Sequence, residues 1–97
     1  MAFIQVVDFT TTRLDDMLAV EREWEAATGG KRTTRRRIFA RDRDNPGRYL
    51  NIVFFDSHES AMQNSNLPET SELSAKMIGM TSGATFVNLD VIEDVEG

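Results

Sequence analysis

Residues 48–70, RYLNIVFFDSHESAMQNSNLPET, hold the chain's only histidine and decide how the rest is laid out. Arg48 to Phe55 is dense in β-branched and aromatic residues, which suit a pleated, half-buried strand. Asp56 to Leu67 reads as a short helix, with Asp56 and Glu59 at the spacing of a capping pair. The residue before a proline is pushed out of helical conformation, so Asn66-Leu67 should interrupt that helix ahead of Pro68. Pro68 suits the first turn of a second helix, with Glu69 and Glu72 near its positive end. Leu73, Met77 and Met80 give that helix its apolar stripe.

The same outline occurs once already, over residues 3–28. Phe3 to Phe9 (FIQVVDF) reads as a strand, and Thr12 with Asp15 has capping spacing. Leu14, Met17, Leu18, Val20, Trp24 and Ala27 then recur with helical period. Gly29-Gly30 should end this helix, since glycine takes the left-handed C-terminal conformation at no steric cost. Between the two repeats, Thr33 to Arg43 is a charged segment with an apolar middle at Ile38, Phe39 and Ala40. Asp44-Asn45-Pro46-Gly47 is a turn signal, Pro46 presetting φ and Gly47 supplying a positive one. Residues 33–55 thus read as a β-hairpin, and Ala84 to Val95 closes the chain as a last strand. The order βαββαβ, with the second helix split, predicts one α+β domain over residues 1–97: a ferredoxin-like antiparallel sheet with helices on one face.

Composition narrows the function. A chain of 97 residues buries only roughly 60–65% of its unfolded surface, so self-association would add useful core. It has no cysteine, which rules out disulfides and thiolate metal sites and suits a cytoplasmic protein. No apolar run approaches the roughly 18 residues of a membrane span, and a signal-peptide pattern is not seen. The net charge is −5, yet eight of the eleven basic residues lie between Lys31 and Arg48 against Asp42 and Asp44. That segment is +6 and the remainder −11. An edge strand guarded by positive charge accounts for it. Nucleic-acid binding through Lys31 to Arg48 is disfavoured, because the acidic whole weakens attraction to phosphates. The RNA-recognition consensus also fails: along Arg48 to Phe55 only Arg48, Val53 and Phe55 agree, and the aromatics that would stack bases are missing.

Strand parity sorts the side chains onto two faces. One carries Ile4, Val6, Leu50, Ile52, Phe54, Val87, Leu89 and Val91. The other carries Phe3, Gln5, Val7, Phe9, Asn51, Val53, Phe55, Phe86, Asn88 and Ile92. Helices on one side leave the other apolar face bare, beyond the few hundred Å² usual for a monomer, so a homodimer packed sheet against sheet is expected. Gln5, Asn51 and Asn88 interrupt the second face. Buried amides need partners, and these either bond one another or line a ligand cavity. Trp24, on the inner face of the first helix, is either core or an aromatic wall of that cavity, with Met17, Met62, Met77 and Met80 as adaptable neighbours. His58, in the first turn of its helix, is a surface residue or a hydrogen-bond partner for a ligand. With no second histidine, no metal site is expected. Glu21 and Glu25 share a helix face and read as a solvated flank. Nucleophile elbows, P-loops and dinucleotide-binding glycines are not found.

The segment FFDSHESAMQNSNLPETSEL, residues 54–73, resembles the dimeric α+β barrel superfamily and, within it, the antibiotic-biosynthesis monooxygenases. The shared pattern is an aromatic strand end, a small or acidic cap, a Glu-x-Ala helix, a polar residue, then a proline near a second helix. Element order and length agree along nearly the whole chain. The resemblance implies a cavity for a small aromatic or polycyclic molecule that itself activates oxygen, with no cofactor. It also implies that Asn64 or Asn66 faces that cavity. With Trp24 these are the candidate catalytic residues that would polarise the substrate, and Gln5, Asn51, His58, Met62, Met77 and Asn88 are the candidate ligand-binding residues. A non-catalytic ligand-binding or accessory dimer of the same fold is the alternative.

Overall fold

The computed structural model describes residues 2–97. Four strands, β1 (Phe3–Thr10), β2 (Thr34–Arg41), β3 (Arg48–Phe55) and β4 (Ser82–Asp90), form one antiparallel sheet in the order β2-β3-β1-β4. Helix α1 (Leu14–Ala27) follows β1, and α2 (His58–Ser65) and α3 (Pro68–Ile78) follow β3. This is the expected α+β ferredoxin-like βαββαβ order with its second helix split. The break falls where Pro68 demands it: Leu67 is extended (φ −64, ψ 135) and Pro68 opens α3.

Several local expectations fail by small shifts. The cap at the start of α2 is Ser57 with Ser60, each side chain bonded to the other's backbone N–H, instead of Asp56 with Glu59. Asp56 instead lies 3.3 Å from Arg35. At α1 the hydroxyl of Thr11, not Thr12, accepts from the Arg13 N–H. Helix α1 ends at Thr28, whose N–H and hydroxyl both donate to the Trp24 carbonyl, so neither Gly29 nor Gly30 is left-handed. Gly47 likewise has no positive φ. Gly83 does (φ 64), where the pairing of β1 with β4 shifts register between Asp8 and Thr10. Strand β4 begins and ends earlier than predicted, at Ser82 and Asp90, and is an edge strand with every residue exposed.

The strand β2 is the other edge, as its charge suggests, and the basic segment is largely engaged within the chain. Lys31 pairs with Glu69, and Arg37 with Glu21 and Glu25. Arg32, Arg36 and Arg41 lie over the rings of Trp24, Phe54 and Tyr49. Arg48 clamps Asp8 with Nε at 3.0 Å and Nη2 at 2.6 Å, and reaches Asp42 with Nη1 at 2.9 Å. These bonds hold Asp8 below its ordinary 3.8, and Asp42 is lowered first by the Asp44 N–H and then by Arg48. Carboxylates with depressed pKa stabilise the fold above that ordinary value and lose the contribution as pH falls through their folded pKa. Arg48→Ala should therefore flatten the loss of stability below pH 3.8, since Arg48 lowers both Asp8 and Asp42. Denaturant midpoints measured between neutral and strongly acid pH test this; an acid limb of unchanged slope rules it out.

Parity holds across the sheet. Facing the helices are Phe3, Gln5, Val7 and Phe9 of β1, opposite Phe55, Val53, Asn51 and Tyr49 of β3. Arg37 and Phe39 of β2 and Phe86 and Asn88 of β4 share that face. Two buried clusters form there: Phe3, Val53, Phe55 and Ala61, and Phe9, Met17 and Tyr49 with Phe39, Met77 and Met80 against them. On the reverse face a β-branched row crosses all four strands, Ile38–Ile52–Val6–Val87. No helix covers that row: Val87 is 46% exposed and Leu89, two residues on, 43%.

Candidate functional site

Between the helices and the sheet lies a cavity of about 270 Å³. Its floor is Gln5, Val7, Phe9, Phe39, Asn51, Val53 and Phe55, and its roof is Met17, Glu21 and Trp24 of α1 with Thr70, Leu73 and Met77 of α3. Asn64 closes one end. Ile78, Ala84 and Phe86 line the side towards β4, where Ile78 and Phe86 are 77% and 64% exposed, so the cavity opens there.

Trp24, Asn64 and Gln5 are each held by a side-chain hydrogen bond. Residues Met17, Glu21 and Trp24 fall at i, i+4 and i+7 and are the buried stripe of α1. The Trp24 indole N–H donates to the Thr70 hydroxyl at 3.0 Å, joining α1 to α3 and leaving the hydroxyl proton of Thr70 free to donate. Asn64 is buried on α2, where its Oδ1 accepts from the Thr33 N–H at 3.3 Å, so its NH₂ group is left as the donor at the cavity end. Asn51 Oδ1 and Arg37 Nη1 are both buried without a hydrogen-bond partner among the described residues. Such atoms are costly in an apolar cavity unless a guest or water bonds them.

Of the residues singled out from the sequence, Gln5, Trp24, Asn51, Asn64 and Met77 line the cavity together. Asn66, His58, Met62 and Asn88 do not. Asn66 is exposed and caps α2 at its C-terminus, donating its backbone N–H to Met62 and Asn64 carbonyls. The His58 ring stands edge-on to Phe3 at 5.1 Å and is exposed. Met62 is 38% exposed on the outer side of α2. Asn88 accepts from Gln5 Nε2 at 3.2 Å, so it orients a lining amide from the sheet edge.

Among the lining residues that escaped the sequence reading are Glu21, Arg37 and Thr70. Glu21 is 7% exposed, not part of a solvated flank. Arg37 Nη1 lies 3.4 Å from Glu21 Oε2, and its Nη2 bonds Glu25 Oε1 at 3.2 Å. Burial raises the Glu21 carboxyl above its ordinary range, against the lowering effect of Arg37. The signals were present: Glu21 falls between Met17 and Trp24 on one helical stripe, and Arg37 shares parity with Phe39. Among the described residues no cluster of three or more His, Cys, Asp or Glu could hold a metal.

The fold is the ferredoxin-like arrangement also seen in solved structures that include a cofactor-independent oxygenase and an antibiotic biosynthesis monooxygenase. Among solved structures, an asparagine-to-alanine variant of SnoaB, a cofactor-independent oxygenase from Streptomyces nogalater, superposes with a TM-score of 0.83 at 13% identity, covering 99% of this chain and 98% of that one. An antibiotic biosynthesis monooxygenase superposes at 0.74 with 17% identity, over 96% and 100% of the two chains. Rv0793 from Mycobacterium tuberculosis does so at 0.78 with 12% identity, over 99% and 100%. No family model and no curated protein matches the sequence. Among the described residues no helix is long and apolar enough to cross a membrane.

Proposed function

We propose that this protein is a cofactor-independent monooxygenase whose substrate is a small aromatic or polycyclic molecule bound between sheet and helices, and that it works as a homodimer. The observation that carries the reading is the cavity: Phe9, Phe39, Phe55, Trp24 and Phe86 surround it, with a few polar groups that would fix a ring's orientation. At about 270 Å³ it sits near the small end of the roughly 300–1,000 Å³ of ligand pockets, with an opening on the β4 side for a longer ring system. The fold shared with a cofactor-independent oxygenase supports the reaction class.

An anthrone-type methylene between two aryl rings illustrates the chemistry. One oxygen atom of O₂ replaces the two methylene hydrogens as a carbonyl, and the other leaves with those hydrogens as water. The carbon is oxidised by four electrons and O₂ is reduced by four, so no outside reductant is needed. An anion of the substrate is the species that meets oxygen, and the Asn64 amide and Thr70 hydroxyl are donors available to hold its oxygen.

Trp24 is the chain's only tryptophan, so its fluorescence reports on the cavity directly. Titration with 1,8-dihydroxyanthrone should quench Trp24 emission and start oxygen uptake at one O₂ per ligand. Quenching without oxygen uptake would leave a binding protein and overturn the oxygenase reading. Absence of quenching overturns the ligand reading as well.

A further inference from the structure

The reaction proposed above requires a base, and the amide, indole and hydroxyl groups around the cavity can donate protons but not accept one at neutral pH. Of the described residues that line it, Glu21 is the only carboxylate and Arg37 the only cation. We propose that Glu21 is the proton acceptor of this cavity, taking a proton from an acidic C–H or O–H of the aromatic ligand, while Arg37 faces the anion left behind. The inference rests on the oxygenase reading for the identity of the ligand, and on the geometry of the pair for the rest. In the step, the ligand's C–H or O–H bond breaks and its electron pair stays on the ligand, delocalised into the ring. An O–H bond forms on Glu21. Negative charge thus moves from the carboxylate to the ligand beside the same guanidinium.

Three observations support the assignment. Glu21 projects from the buried stripe of α1 between Met17 and Trp24, both of which also line the cavity. Arg37 makes its hydrogen bond to Glu25, while Nη1, 3.4 Å from Glu21, has no hydrogen-bond partner. Glu21 is therefore attracted but not locked, as a base that must reach a substrate requires. Burial also lifts its pKa towards the working range of a general base. The charges acting on it are Arg37 on β2 and Glu25 one turn along α1. Helix α3 turns only Thr70, Leu73, Ser74, Met77 and Ile78 towards the cavity, none of them titratable.

The test uses Glu21→Gln and 1,8-dihydroxyanthrone, first without oxygen. Bound to the natural chain, the ligand should show the absorption spectrum of its anion; bound to Glu21→Gln, that of the neutral form. With oxygen, kcat should fall by about 10²–10⁴-fold in Glu21→Gln. The dissociation constant read from Trp24 should change by no more than a few-fold, and Glu21→Asp should keep the acid limb of the pH–rate profile. A ligand that binds the natural chain but stays neutral, or stays anionic in Glu21→Gln, overturns the assignment of Glu21 alone. An anion that forms but consumes no oxygen overturns the oxygenase reading and leaves the base in place. A ligand that does not bind overturns both.

Discussion

Phe9→Ala is expected to remove about 3–5 kcal/mol of folding stability, the range for truncating a buried aromatic. Phe9 is 4% exposed at the junction of β1, α1 and β3. Its ring lies 5.9 Å from Phe39 and 6.1 Å from Tyr49, so truncation also breaks two aromatic pairs. Domains have roughly 5–15 kcal/mol in total, and a chain this short stands low in that range, so the variant should be partly unfolded at room temperature. Phe9→Leu keeps most of the volume and should lose much less. Urea unfolding at one fixed protein concentration measures both, since association of subunits would make stability concentration-dependent. A loss below about 1 kcal/mol for Phe9→Ala, well under the core-truncation range, would show that the cluster collapses around the gap. Because Phe9 also lines the cavity, the cluster that stabilises the sheet is the one that shapes the floor of the site.

How far this arrangement can be read from sequence depends on the type of residue. Element order followed from apolar periodicity, which reflects the side chains each element must bury, and from the Asn66-Leu67-Pro68 break, which proline imposes through backbone sterics. Parity put Gln5, Asn51 and Val53 on one face because the strand period is fixed at two. Caps were less legible: Thr11 and Thr12, or Asp56 and Ser57, are adjacent candidates, and the entry angle of the chain selects between them. Charged residues were least legible. Glu21 with Glu25 reads as a surface pair until the sheet supplies Arg37, which lies between them in space though 16 residues from Glu21 in sequence. Asn64 and Asn66 differ in fate for a local reason. Two residues along a helix turn a side chain by about 200°, which carries Asn64 inward and Asn66 out to the C-terminal cap.

Ile52→Asp is expected to convert a dimer into a monomer. Ile52 is the centre of the reverse face, opposite Val6 on β1 and Ile38 on β2, and Val6 in turn is opposite Val87 on β4. Ile4, Phe54, Leu50 and Leu89 extend this apolar field on either side of the row, and the Asp8–Arg48–Asp42 ion cluster bounds it at one end. Fully burying an exposed side chain of this kind contributes about 1.5–3 kcal/mol, and although six of the eight on each chain are already partly buried, sixteen from two chains together drive association. An aspartate at the centre would have to be desolvated without a counter-charge, which costs several kcal/mol per ion and twice over in a symmetric interface. Sedimentation should give twice the 11.0 kDa chain mass for the natural protein and the single mass for Ile52→Asp. A natural chain that stays monomeric at micromolar concentration would rule out the association. The side chain of Ile52 points away from the helices, so circular dichroism should be unchanged and the cavity lining untouched. That separation makes the variant informative about function. If Trp24 quenching by the anthrone survives in the monomer, one chain completes the site; if it is lost with the fold intact, the sheet needs its second layer to hold the cavity in shape.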